Sequence, residues 1–316
     1  MATHNWKDRS VGFRLVGWAS VPAFRLTTIL RLFCTASVCL VLLAYPFYVY
    51  VTPALAQSSP VFRACLLENN LPYSSQADEN GFDFDTAKAV AEAMGRSFVP
   101  VWIKNDTQIT EIDETDLPVH QLSGGECDAI FSVPGEEALK EAPKIAIGAA
   151  YYGAGFELVG PVENGPESLD AVGDKPIAVR AQTIANFMLS ARKMETFTVF
   201  SLEDGLNALS AGKAGAALLW GPKAGWYLQT HPDLALKVVT VDPPTVVRWN
   251  ESAATRQDDT ELRQAIDAAL SKLEEAGRLK TLLEKYGIPA HRPFDTTYSF
   301  AEMQQLMFHS LSNRQQ

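Results

Sequence analysis

Two long extended runs constrain this chain more than any other feature. AAYYGAGFELVGP (149–161) and TVVRWNESAAT (245–255) interrupt an otherwise regular alternation of strand and helix. Before the first run, VFRACLLE, SFVPVWIK and CDAIFSVP read as apolar strands, with the turn-rich NNLPYSSQ following the first of them. DFDTAKAVAEAMG reads as an amphipathic helix closed by Gly95, and DLPVHQLSGGE as a short one. Between the runs the rhythm restarts. KPIAVRA, FTVFS, AGAALLW and LKVVTVDP are strands, and QTIANFMLSARKM, LEDGLNALSAGK and GPKAGWYLQTH are helices. After the second run a charged helical stretch begins at Asp258, with Gly277 dividing it. Strands alternating with helices imply parallel sheet wound in βαβ units. The two runs that leave the rhythm are natural crossovers between two such units.

The two units resemble each other. HQLSGGECDAIFSVPG (120–135) and NALSAGKAGAALLWGP (207–222) align without a gap as helix, glycine, strand and proline. Ligands in open α/β sheets bind outside the carboxyl ends of the strands. In a two-lobed chain those ends can face each other across a cleft.

The first 56 residues stand apart. Lys7, Arg9, Arg14, Arg25 and Arg31 face a single acid, Asp8, and an apolar run from Leu32 to Val51 leads to TPALAQ. A basic flank, an apolar stretch and a small-residue A-x-A site describe a secretory signal peptide cleaved after Ala56. The apolar run is also long enough to serve as an uncleaved anchor, the one route by which this chain would meet a membrane. Either way the body lies outside the cytoplasm, in the periplasm. The whole chain has a net charge of −10, and the body is more acidic still once the basic leader is set aside. A nucleic-acid surface is excluded on that balance. Of four cysteines, Cys34 and Cys39 fall in the leader and Cys65 and Cys127 in the body. One pair in an exported protein reads either as one disulfide or as two separate buried thiols. No haem or zinc spacing is present.

The ordered set GFDFDTAKAVAEAMG, LSGGECDAIFSVP, AAYYGAGFELVGP, IAVRAQTIANFML, ALSAGKAGAALLWGP and ELRQAIDAALSKLEEAGRLKTLLEKYGI resembles the family 3 extracellular solute-binding proteins over about 61–288. CLLENNLPYSS, GGECDAIFSVPG, WGPKAGWYL and LLEKYGIP look like a narrower branch, the accessory factors found with quinoprotein alcohol dehydrogenases of methanol oxidation. The resemblance implies an α/β, two-lobed periplasmic binding protein type II fold. Each lobe would be a mostly parallel sheet flanked by helices, and two crossover segments would join them. The expected parts are a signal peptide (1–56), lobe one (57–150 and 245–290), lobe two (151–244) and a C-terminal tail (291–316). The family also makes the strands of Cys65 and Cys127 sheet neighbours, which implies that the two cysteines pair.

Amino-acid receptors of this family hold their ligand's carboxylate with an Arg and its ammonium with an Asp. Here no Arg occurs between Ser132 and Ile145, and Trp220 stands where the Asp would be. Both anchors are missing, so a free amino acid is not the expected ligand. The implied cleft rim consists of Asn69, Asn70 and Tyr73 after the first strand, and Ser132 and Pro134 after the third. Arg180, Gln182 and Thr183 open the first helix of lobe two, and Trp220 closes the ring. A helix N-terminus such as that after Arg180 suits an anion, and Tyr73 and Trp220 suit a flat or apolar ligand. Plainer roles compete. Tyr73 and Trp220 would pack between lobes, Arg180 would lie at the surface beside Asp170 or Asp174, and Asp83 and Asp85 would cap a helix.

The function expected is therefore non-enzymatic, without cofactor or metal. The chain would serve a quinoprotein dehydrogenase, or deliver a small polar or organic-acid solute to an ABC permease. A partner would meet exposed loops and the tail. The rival from another class is a periplasmic dehydratase acting on a cyclic acid, with Glu68 or Glu136 as its acid or base.

Overall fold

The computed structural model describes residues 60–105, 118–134, 144–239 and 247–295, together with 297 and 305. The leader with its cleavage site, Glu136 and nearly all of the tail beyond 295 lie outside these. Among the described residues no helix is long and apolar enough to cross a membrane.

The elements follow in chain order. They are β1 (Val61–Leu67), β2 (Asn69–Asn70), β3 (Ser74–Ser75), α1 (Phe82–Ala93), β4 (Ser97–Ile103), α2 (Pro118–Gly124) and β5 (Ile130–Pro134). Then come β6 (Ile145–Pro161), β7 (Ile177–Arg180), α3 (Ile184–Ala191), β8 (Thr196–Val199), α4 (Leu202–Ser210), β9 (Ala216–Trp220), α5 (Gly221–Thr230) and β10 (Leu236–Val239). The chain returns through β11 (Arg248–Arg256), α6 (Thr260–Glu275) and α7 (Arg278–Lys285). Gly277, at φ 69°, separates the last two helices, a left-handed conformation that glycine adopts without a side-chain clash.

The first lobe pairs β1 with β4 in parallel, and a parallel bridge from Ala64 to Ala129 ties β1 to the residue before β5. The second lobe pairs β7 in parallel with both β8 and β9. The 17-residue β6 belongs to both. Residues 145–155 lie antiparallel to β11, and residues 156–161 lie antiparallel to β9 and β10. The two extended runs are thus adjacent strands of one continuous sheet, and the first begins four residues earlier than its sequence pattern indicated, at Ile145. Phe62, Phe82, Val90, Leu270 and Leu283 belong to one core cluster in lobe one, with Cys65, Leu122, Ile130 and Ala254 in another. Lobe two likewise holds one cluster around Leu158 and Leu189 and a second around Leu206 and Leu219.

Cys65 and Cys127 form a disulfide with a Cα–Cα separation of 5.5 Å. The backbone explains the pairing, since Cys65 N–H donates to the Ala129 carbonyl at 3.0 Å. Residues 289–294 lie against both crossover strands. Gly153 N–H donates to the His291 carbonyl at 3.0 Å, and Asn250 exchanges two bonds with the Phe294 backbone. His291 Nε2 stands 2.7 Å from Glu157 Oε1. The start of the expected tail is therefore part of the folded body.

Candidate functional site: an aromatic and acidic cavity between the lobes

A cavity of about 450 Å3 opens where β1, β5 and β9 end. Tyr73 reaches it from the loop after β1. That loop is held by the start of α1, where the N–H groups of Phe82 and Asp83 donate to the carbonyls of Pro72 and Tyr73. Gly81, at φ 127°, allows this approach, because a Cβ there would collide with the Tyr73 carbonyl.

Trp220 reaches the cavity from the opposite lobe. β9 runs into α5 with no loop between them, and Trp220 is the cap residue, at φ −60° and ψ 112°. Pro222 fits the first turn because no intrahelical partner is lost there. A side chain on Gly221 would meet Glu157 and the Gly155 carbonyl, so the turn is possible only with glycine. The indole thus leaves the end of the sheet, and its Nε1–H donates to the Tyr73 hydroxyl at 2.8 Å. This hydrogen bond spans the cleft between the two lobes. Trp249 of β11 stacks on Trp220 with ring centroids 4.8 Å apart, and Phe156 packs edge-on at 5.6 Å.

Two carboxyls line the same cavity. Asp83 is buried in the first turn of α1 and accepts a hydrogen bond from Ser132 Oγ at 2.5 Å. Burial pushes it up to about 7, and the Ser132 bond opposes that rise only in part. Ser132 is itself fixed. Its N–H donates to the Tyr151 hydroxyl at 3.0 Å, and its Oγ lies 2.9 Å from the Tyr152 hydroxyl. Glu251 of β11 is 2% exposed. Its Oε1 accepts from Trp249 Nε1 at 3.0 Å, while its Oε2, also buried, has no hydrogen-bond partner among the described residues. Burial, then the neighbouring charge of Asp83, raises Glu251 well above the usual carboxylate range. Tyr73, Tyr151 and Tyr152 are raised well above ordinary phenols, first by burial, and stay neutral.

Of the rim expected from the sequence, Asn70, Tyr73, Ser132, Pro134 and Trp220 line the cavity. Asn69 does not, and instead exchanges two bonds with the Asn105 side chain. Arg180, Gln182 and Thr183 also stand outside the lining. Arg180 is exposed at the end of β7, and Thr183 caps α3 by accepting from Asn186 N–H. Arg192, not Arg180, pairs with Asp170. The capping role expected of Asp83 and Asp85 is corrected. Gly81 occupies the cap of α1 and no side chain caps it. Asp83 turns to Ser132, and Asp85 takes Lys285 Nζ at 2.6 Å and the Tyr286 hydroxyl at 2.7 Å. Neither Glu68 nor any Arg, Lys or His is among the described residues lining the cavity. Trp249 and Glu251 escaped the sequence reading, which treated their run only as a crossover. The signal was present, since residues two apart in a strand share a face.

Two α/β lobes joined by paired crossover strands, with a cavity at the facing strand ends, define a two-lobed binding protein. The model of the bacterial extracellular solute-binding proteins, family 3, matches residues 62–289, and the chain belongs to that family. No curated protein matches it significantly. Similar solved structures include MxaJ from Methlophaga aminisulfidivorans MPT, at TM-score 0.55 and 22% identity, covering 72% of this chain and 99% of that one. Another is the second substrate binding domain of a putative amino acid ABC transporter from Streptococcus pneumoniae Canada MDR_19A. There the TM-score is 0.59 and the identity 18%, over 72% of this chain and 100% of that one. Substrate binding domain 2 of Lactococcus lactis GlnP, in its open conformation, gives 0.60 and 15% over 72% and 95%. At these identities the likeness is one of fold.

Proposed function

We propose that this protein is a periplasmic, non-enzymatic accessory factor of a quinoprotein alcohol dehydrogenase system. The observation that carries this reading is the Trp220–Tyr73 bond, which links the lobes through the protein's own side chains. A receptor that closes around a solute spends its contacts on that solute. Here an indole and a phenol of the protein itself meet across the cleft, which favours contact between the lobes and leaves their outer surface for a protein partner. The likeness in fold to MxaJ and the short strings NNLPYSS and WGP support the same reading.

Two other readings fare less well. An amino-acid receptor needs a cationic group for the carboxylate, and the described lining has none. A dehydratase acting on a cyclic acid meets the same obstacle, because the described lining offers its anionic substrate no cation either. The cavity itself favours a second role as solute receptor for an ABC permease, since its size falls in the range of small-molecule sites.

The test is direct. The exported protein, mixed with the quinoprotein alcohol dehydrogenase of its own organism, is expected to co-sediment with it and to change its dye-linked turnover. Separate sedimentation with unchanged turnover contradicts the accessory role.

A further inference from the structure

We propose that the cavity is a site for a small organic cation, a primary alkylammonium whose charged end meets Glu251 and Asp83 and whose chain enters the apolar wall. The inference goes beyond the accessory role and does not rest on it.

Three observations point to this class. The first is an unmatched acceptor. Glu251 lines the cavity at 2% exposure, and its Oε2 is buried without a hydrogen-bond donor among the described residues. Buried polar atoms are nearly always bonded, and an exception calls for a donor from elsewhere. An ammonium brings three. The second is the balance of charge. The acidic side chains of the described lining are Asp83 and Glu251, and no basic side chain faces them there. The groups around them are neutral: Ser132, Tyr151 and Tyr152 at Asp83, and Trp249 at Glu251. An anion, or a zwitterion's carboxylate, finds no cationic partner among the described lining residues. The third is the wall. Tyr73, Trp220 and Trp249 supply electron-rich rings, to which cations are drawn. Ile130 and Val133 offer apolar surface for a hydrocarbon chain.

Burial favours the protonated form of both carboxyls, raising Asp83 to about 7 and Glu251 well above its ordinary value. A bound ammonium favours the charged form of its neighbour. On binding, a carboxyl O–H bond breaks, its proton passes to solvent, and the carboxylate pairs with the ammonium, with no change of oxidation state. Binding is therefore coupled to proton release.

Calorimetry of the purified exported protein near neutral pH tests the proposal with butylammonium, butanol, butyrate and L-alanine. Butylammonium is expected to bind at least about tenfold more tightly than butanol, a difference of about 1.4 kcal/mol. Butyrate and L-alanine are expected not to bind. The heat of butylammonium binding is expected to differ between phosphate and HEPES, as released protons are taken up by the buffer. Glu251→Gln is expected to lose butylammonium binding by at least about tenfold and to keep the weak butanol binding. The proposal is overturned if butanol or butyrate binds as tightly as butylammonium, if no probe binds, if the heat does not depend on the buffer, or if folded Glu251→Gln binds the amine unchanged. Should Glu251→Gln not fold, the amine-to-alcohol ratio of the wild type decides.

Discussion

Replacing Cys65 and Cys127 together by alanine is expected to lower the unfolding free energy by about 4 kcal/mol. The bond closes a loop of 62 residues, and the loss follows from the chain entropy that the loop denies the unfolded state. Alanine suits the test because both cysteines sit in an apolar cluster with Leu122, Ile130 and Val133, and neither is more than 4% exposed. Urea denaturation of the variant and of chemically reduced wild type is expected to give the same loss. A loss under about 1 kcal/mol would mean that the neighbouring backbone bonds hold β1 and β5 without the cross-link. The effect reaches the cavity, because Cys65 lines it and Cys127 stands five residues before Ser132.

A comparable effect is expected from pH through one carboxyl. Burial raises Asp83 from an ordinary 3.8 to about 7, so between those values the folded protein carries a proton that the unfolded chain has released. Stability from this group is complete below the unfolded value and is lost as pH rises through the folded one. The loss between about pH 4 and pH 8 is roughly 4 kcal/mol. Glu251, raised by the same burial, changes in the same direction. Asp83→Asn removes the titration and keeps an oxygen for the Ser132 hydroxyl. The variant is expected to match the wild type near pH 4 and to exceed it by a few kcal/mol near pH 8. Denaturation profiles of the two proteins that run parallel across this range would show that Asp83 is not held protonated. A group kept at such cost in neutral solution fits a binding site better than a structural one.

Much of this architecture was legible because the hydrophobic period is a strong signal. The break in strand–helix alternation marked both crossovers, and the matching of 120–135 with 207–222 exposed two similar lobes. Trp220, before Gly-Pro at a strand end, could be placed at the cleft because that short string leaves its side chain one way out. Asp83 was misread for a physical reason. An acid in the first turn of a helix is ordinarily a solvated cap or dipole partner, and only the tertiary fold shows Ser132, Tyr151 and Tyr152 closing over it. Ser132 in turn takes up φ 50°, a left-handed conformation that no local sequence pattern announced. Arg180, Gln182 and Thr183 were assigned to the rim because their helix follows a strand end. They stand outside the cavity lining, whereas Trp249 and Glu251 of β11, far in sequence from every other lining residue, are part of it.

Trp220 and Tyr73 join the lobes through a hydrogen bond of their own, which is expected to hold them close. Small-angle scattering of the ligand-free protein, beside Trp220→Phe, is the decisive measurement. Phenylalanine keeps an aromatic ring against Trp249 and removes the N–H that Tyr73 accepts. A lost hydrogen bond of this kind is worth about 1 kcal/mol, enough to shift a closed–open equilibrium roughly fivefold. The wild-type curve is expected to match the structure described above, and the variant to have a larger radius of gyration. A wild-type protein that scatters as an open form, or a variant whose radius does not change, would contradict this expectation.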